Sequence, residues 1–507
     1  MAILVAVLLI QVTPDGSTSG SVTAKCASII FGIPTAEAKA RPNARRAQIS
    51  RRNGGWTTPK KRRAFDIEMA LERARSRTVP AAKAKRPDGL IPAAIPSPVT
   101  AEGARAAEAE AAAPMPTAKE MRDAVLATPV EDLKRVGRHL IVGYHNAGQL
   151  TPLLERGAIG GVFVTARNAR GRTLAKLSAE IAQLRALAAA AGQKPFWIST
   201  DQEGGGVSRL SPPLPRQPSL PRLIRDLKTP QARVAAVADF AMKQGQALAA
   251  IGVNLNFAPV ADLNLDARHA RDLHTRLRHR SVSSDPLIVA DIARTYCTHL
   301  LANAVACTLK HFPGLGRILA DTHITAATLK TPRDVLEGSD WVPFQRVLDT
   351  TPAFLMVGHP HLASVDTDDV RPASTSRAVI DGVIRKSLKF NGVVITDDLA
   401  MGAIRRRTGG MPRAAVEAMA AGADLILVGL DGDQIYPVLY AMLEAVRKGQ
   451  VTAAQLRSSQ ERLERMAETT ETSGAIARRD EVANSGPKAS ELELPELGRS
   501  RPAVARP

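Results

Sequence analysis

Aromatic residues are scarce in this chain, with four tyrosines, three tryptophans and ten phenylalanines among 507 residues. None are interleaved with basic residues as a base-stacking platform needs, and no zinc-finger or helix-turn-helix pattern stands out, so no specific nucleic-acid binding is expected. Cysteine is scarcer still, with three: Cys26, Cys297 and Cys307. Their scatter offers neither a disulfide framework nor metal-ligand spacing, and Cys307, inside an apolar run, reads as a buried thiol. No apolar run reaches the ~20 residues of a membrane helix, so no transmembrane span is expected. Ala2 to Ile10 is apolar but short. It resembles the core of a secretory signal, and Ala36-Glu37-Ala38 and Ala38-Lys39-Ala40 have the small-x-small form of a cleavage site, although no basic residue precedes the run. The expected location is periplasmic or secreted, with the cytoplasm as the alternative.

What is present is charge and a sizeable apolar fraction. The formal net charge is +19 and hydrophobic residues make up 45% of the chain, enough for a large core. Much of the basic excess precedes residue 90, in runs such as Arg45-Arg46, Arg51-Arg52 and Lys60-Lys61-Arg62-Arg63. Such an arm suits electrostatic contact with anionic envelope polymers, and equally a solvated tail. The composition divides the chain into a candidate leader (1–40), a basic Ala/Pro/Arg-rich linker (41–118) with at most a short helix over Thr57 to Arg77, a folded domain (119–468) and a polar, disordered tail (469–507).

Inside the folded domain, short apolar runs alternate with helical patterns. The runs expected as strands are His139–Gly143, Gly161–Val164, Phe196–Thr200, Asn254–Ala258, Val305–Lys310, Ala353–Val357, Gly392–Thr396 and Asp424–Val428. Few interior charges fit strands covered on both faces. Between them lie stretches such as Leu177 to Leu187, with apolar residues at helical spacing. This alternation predicts an α/β fold, a (β/α)8 TIM barrel, with a doubly wound open sheet as the alternative. No G-x-G-x-x-G follows the first run, which counts against a dinucleotide-binding version.

In a parallel barrel, chemistry collects where strands end. The third run is followed by Asp201-Gln202-Glu203-Gly204-Gly205-Gly206-Val207-Ser208-Arg209, and the fourth leads to Asp262. The fifth ends at Lys310-His311, the sixth leads to Gly358-His359-Pro360-His361, and the seventh to Asp397-Asp398. Bland readings stand beside these. Asp201 suits a helix cap or a salt bridge to Arg209, and the three glycines suit a tight turn. His359 and His361 read as packing or loop residues, and Asp398 as a carboxylate on backbone amides. A lysine finishing a buried strand needs an acceptor, which a ligand hydroxyl can supply.

Several ordered motifs resemble glycoside hydrolase family 3, in its β-N-acetylhexosaminidase branch and single-domain type. They are Lys310-His311-Phe312-Pro313-Gly314 with Asp321-Thr322-His323, Asp201 to Gly205 followed by Arg209, Arg280 to Pro286, and Ile395 to Ala403. The resemblance implies retaining hydrolysis through a covalent glycosyl-enzyme, with Asp397 as nucleophile and His323, paired with Asp321, as acid and base. It implies that Asp201, Arg209, Arg280, Lys310 and His311 bind the sugar, that a mobile loop brings His323 in, and that no metal or organic cofactor is needed. It points to release of terminal N-acetylglucosamine from peptidoglycan- or chitin-derived sugars. A β-glucosidase or phosphorylase on the same scaffold, and a non-catalytic envelope sugar-binding protein, are the alternatives. Leu315 and Arg317 stand where the branch usually has His and Asp, and Gly206 replaces a common Arg.

Overall fold

Eight short strands, each buried on both faces, run in chain order: β1 Leu140–Gly143, β2 Gly161–Phe163, β3 Trp197–Thr200, β4 Leu255–Asn256, β5 Ala306–Phe312, β6 Phe354–Val357, β7 Val394–Thr396 and β8 Ile426–Val428. The computed structural model describes residues 115–265, 274–367, 370–429 and 434–484. Neighbouring strands from β1 to β7 pair in parallel, and β8 pairs with β1, Leu140 opposite Ile426. The ring closes between β7 and β8 through a parallel bridge of Ile395 with Leu425, where the Thr396 amide donates to the Leu425 carbonyl at 3.0 Å. An open doubly wound sheet reverses its strand order at a switch point; this one never does. The barrel expected from the alternation is therefore the fold.

Alternation along each strand sorts side chains between two cores. Ile141, Phe163, Trp197, Leu255, Phe354, Ile395 and Leu427 fill the inside of the barrel. Their neighbours Leu140, Val142, Val162, Ile198, Leu355, Val394 and Ile426 pack outward against the helices. Trp197 meets Phe354 edge-on inside the barrel, with ring centroids 5.0 Å apart. Helices such as Leu174–Ala190, Pro230–Ala250 and Pro286–Leu301 cover the outside; each begins at a residue whose side chain accepts from its first turn, Thr173, Thr229 and Asp285.

Two expectations are corrected. Cys307 is not a free thiol: it is disulfide-bonded to Cys297, with Cα atoms 5.3 Å apart. The helix Pro286–Leu301 turns back through Ala304 into β5, which lays its last turns beside the first residues of the strand. Sequence spacing alone does not reveal that reversal. The first part of the tail expected over 469–507 instead continues a helix, Ala453–Asn484, and the rest lies outside the described residues. That helix's Leu463 and Met466 join the core inside the barrel, Thr470 is buried, and Gly474 packs against Ala304. A helix that touches the body along one narrow stripe keeps a polar composition, which is why it read as tail. The expected leader, most of the basic linker and the helix over Thr57 to Arg77 lie outside the described residues. Among the described residues no helix is long and apolar enough to cross a membrane.

Candidate active site

The extended chain after β3 alternates in direction. Gln202 turns to the body of the protein, where its amide meets Ser211 and the backbone of Leu210. Asp201 and Glu203, two residues apart, both face the barrel mouth and meet Lys310 from β5: Nζ lies 2.7 Å from Asp201 Oδ1 and 2.7 Å from Glu203 Oε1. Glu203 also accepts the fork of Arg280, with Nε to Oε2 at 2.8 Å and Nη2 to Oε1 at 2.6 Å. Burial alone would push the Glu203 carboxyl up; Arg280 and Lys310 overcome it and hold the group well below the usual carboxylate range. Lys310 thus has two protein carboxylates as acceptors, not a ligand hydroxyl alone. The glycine turn serves the chain rather than a ligand: Gly204 and Gly205 have φ of +94° and +60°, and a Cβ on Gly204 would stand 2.2 Å from the Pro218 carbonyl oxygen.

His311 is fixed from behind. Its Nδ1 lies 2.7 Å from Asp262 Oδ2, and the other oxygen of Asp262 accepts the Leu315 amide at 2.6 Å. At the end of β7, Asp397 is partly exposed and accepts the Asp398 amide at 2.8 Å. Burial raises its proton affinity, but His311, His359 and His323 outweigh that and lower the pKa. Asp398 goes the other way. Burial pushes it up to about 6, assisted by the charges of Asp397 and Asp201, although the amides of Gly429 and Ala400 oppose the shift. Two adjacent carboxyls are therefore driven apart in protonation, the ionised one beside three imidazoles.

His323 stands on the loop after β5 and is partly open to solvent. Its Nδ1 lies 3.0 Å from Asp321 Oδ1. Asp321 also accepts the amides of His274 at 2.8 Å and His323 at 3.0 Å, and the Thr275 hydroxyl at 3.0 Å. Against burial, these bonds and His323 hold Asp321 down at about 2, so it stays an anion able to orient the ring.

One pocket of about 390 Å³ at the barrel mouth is lined by Asp201, Arg209, Arg280, Lys310, His311, His323 and Asp397 together. Asp321 stands behind His323, outside the lining. Arg209 lies exposed at the rim. His359 is a packing residue as expected: buried, with Nδ1 on Ser374 at 2.7 Å and Nε2 on the Asp398 carbonyl at 3.0 Å. Asp398 binds backbone amides as expected and also reaches the pocket wall. Sequence reasoning placed Glu203 and Asp262 at strand ends but gave them no role, and it did not name Thr275. Glu203 was within reach, because a period of two from Asp201 puts both on one face; Asp262 and Thr275 act from 49 and 48 residues away. A larger cavity of about 560 Å³ lies at the other end of the barrel, beside the starts of β6 and β7 and the terminal helix. It carries no carboxylate–imidazole pair, so the mouth is the chemical site.

An ionised carboxylate, an oriented imidazole and a rigid set of hydrogen-bonding groups around one small pocket can carry out a displacement at a carbon bearing an oxygen leaving group. Comparison with known proteins agrees with this chemistry. The model of the glycosyl hydrolase family 3 N-terminal domain matches residues 131–466. A beta-hexosaminidase of Xanthomonas axonopodis pv. citri (strain 306) is 34% identical over 292 residues, which is 57% of this chain and 81% of that one. The structure of a glycoside hydrolase family 3 beta-N-acetylglucosaminidase from Paenibacillus sp. str. FPU-7 superposes with a TM-score of 0.61 at 27% identity, covering 68% of this chain and 67% of its own. A family 3 glycosyl hydrolase of Mycobacterium smegmatis str. MC2 155 superposes with a TM-score of 0.58 at 32% identity, covering 68% and 98%.

Proposed function

We propose that this chain, which belongs to glycosyl hydrolase family 3, is a retaining exo-β-N-acetylhexosaminidase that releases terminal N-acetylglucosamine from peptidoglycan- or chitin-derived sugars. Membership makes it a glycoside hydrolase; the sugar, the stereochemistry and the residue roles are the proposal. The observation that carries it is that Asp397 and the Asp321-oriented His323 line the same pocket.

In this reading Asp397, kept ionised by three imidazoles, attacks the anomeric carbon and forms a glycosyl ester. His323 gives its proton to the departing oxygen, then takes one from the water that cleaves the ester. Asp321 fixes the ring and stabilises its charged form. Asp201, Arg209, Arg280, Lys310 and His311 hold the sugar. Glu203 joins them by holding Lys310 and Arg280 at fixed positions, and Asp262 by locking the His311 ring.

The test is a substrate panel: aryl β-N-acetylglucosaminide against aryl β-glucoside, with and without phosphate. Preferential hydrolysis of the N-acetyl substrate, indifferent to phosphate, supports the reading. Preference for glucoside, or a glycosyl phosphate product, overturns it.

The basic arm is proposed to contact anionic envelope polymers, and the protein to work outside the cytoplasm. The Cys297–Cys307 disulfide supports the second point, since such bonds persist in oxidising compartments. Thiol labelling of protein extracted without reductant tests it: labelling at both cysteines would argue for a reducing compartment.

A further inference from the structure

We propose that Arg317 is a positioning residue for His323. It clamps the loop that carries the imidazole, so that the acid–base group stands in the pocket before substrate arrives. The inference rests on the role given to His323 above.

The loop follows β5 and starts at Pro313. Its first half is packed rather than free. Pro313 to Gly316 are buried, and the Leu315 amide is held by Asp262. Gly316 lies so close to the chain opposite that a Cβ would stand 2.6 Å from the Leu263 carbonyl oxygen. Arg317 follows and reaches across to the segment ahead of the helix Val342–Leu348. Its Nε donates to Asp340 Oδ2 at 2.8 Å and its Nη2 to Ser339 Oγ at 2.9 Å, while Ser339 Oγ donates to the same Asp340 oxygen at 2.6 Å. The next residue, Trp341, donates its indole N–H to the Pro313 carbonyl at 3.1 Å. The loop is gripped twice from one segment.

Asp340 makes this grip hard to open. It is 2% exposed, and its Oδ1 has no hydrogen-bond partner among the described residues. Its charge therefore rests on the Oδ2 cluster, and withdrawing Arg317 would leave a buried carboxylate without its cation. Beyond Arg317 and the buried Ile318, the chain crosses exposed Leu319 and Ala320, then is pinned again. The Thr322 and His323 carbonyls accept the amides of Ala403 and Gly402 at 3.1 and 2.9 Å. His323 thus hangs from two anchors, one on each side of an exposed pair of residues. In this reading the loop that the sequence expects to bring His323 in is already held closed by these contacts.

The test measures kcat/KM for an aryl N-acetylglucosaminide with a good leaving group and for a natural-type disaccharide, in Arg317→Met, Arg317→Lys, His323→Ala and the Arg317→Met/His323→Ala double variant. Hydrogen exchange over residues 313–326 is followed in parallel. Arg317→Met should lower kcat/KM on the disaccharide by ~10–100-fold and affect the aryl substrate much less, because misplacing an acid hurts most where the leaving group needs its proton. Arg317→Lys should recover part of the loss, exchange should rise around His323, and Arg317→Met should cost nothing further once His323 is gone. An equal cost with and without His323, or unchanged exchange with full activity, overturns the inference. If His323→Ala treats both substrates alike, the His323 role fails, while exchange still decides whether Arg317 holds the loop. Should Arg317→Met not fold, Ser339→Ala loosens the same fork and carries the same expectations.

Discussion

Two carboxylates, each between two cations, stand at opposite ends of one barrel. At the mouth, Glu203 lies between Arg280 and Lys310. At the base, Asp424 lies between Arg385, 2.6 Å from Oδ2, and Arg462, 2.8 Å from Oδ1, and also accepts the Val394 amide at 2.8 Å. Burial pushes both carboxyls up, and in both the flanking cations win. The clusters differ in what lies next to them. At the base, Arg462 comes from the terminal helix, whose Leu463 and Met466 close the inner core, and the cavity of about 560 Å³ that Arg462 lines holds no histidine. At the mouth, Lys310 reaches on to Asp201, and the cluster borders a pocket holding Asp397 and His323. A buried ion cluster is thus no sign of chemistry by itself. Groups driven apart in protonation beside a space for substrate are the better sign, and Asp397 and Asp398 show that pattern.

The base is where the comparison breaks most easily. Asp424→Ala strands two largely buried arginines, so urea denaturation should show a loss of ~3–5 kcal/mol. Turnover of the protein that remains folded should be unchanged; a loss of kcat matching an active-site variant would erase the distinction between the two ends. Asp397→Ala should do the reverse, with a loss of at least ~3 kcal/mol of transition-state stabilisation, a hundredfold or more in rate, and little change in stability. Undiminished turnover would remove Asp397 from its role. His323→Ala should cost ~2–3 kcal/mol in kcat/KM on a disaccharide and less on an aryl glycoside; equal losses would contradict the acid assignment.

The smallest effect is on pH. The Asp398 carboxyl is raised in the fold, so the native state binds the proton more tightly than the unfolded chain. Its contribution is fully present below pH ~4 and is lost as pH rises through about 6. Asp398→Asn keeps a neutral acceptor for the amides of Ala400 and Gly429. Relative to that variant, the native protein should lose on the order of 1–2 kcal/mol between pH 4 and 7. Parallel stability curves would show that the fold does not raise the Asp398 pKa. Asp424 and Glu203 carry the opposite sign: their lowered pKa values give stability present above pH ~4 and lost on acidification.

Much of this architecture was legible in the chain. The eight apolar runs became eight strands, because a strand covered on both faces has to be apolar at successive positions. Asp397, Lys310 and His311 were legible because each follows or ends such a run. The base cluster was not, since Arg385 and Arg462 read as ordinary basic residues of amphipathic helices until the closed barrel brings them to Asp424. The disulfide escaped for a related reason: a ten-residue spacing does not show a helix folding back on the next strand.

By itself the sequence determined the alternation of strand and helix, the order of the strands and the residue types offered at each strand end, because propensity and periodicity act over a dozen residues or fewer. Only the tertiary structure decided which charges meet: Glu203 with Arg280, 77 residues apart, and Lys310 with Asp201, 109 apart. Proton affinity and ion pairing depend on distance and burial in space, and both are set only when the ring of strands closes.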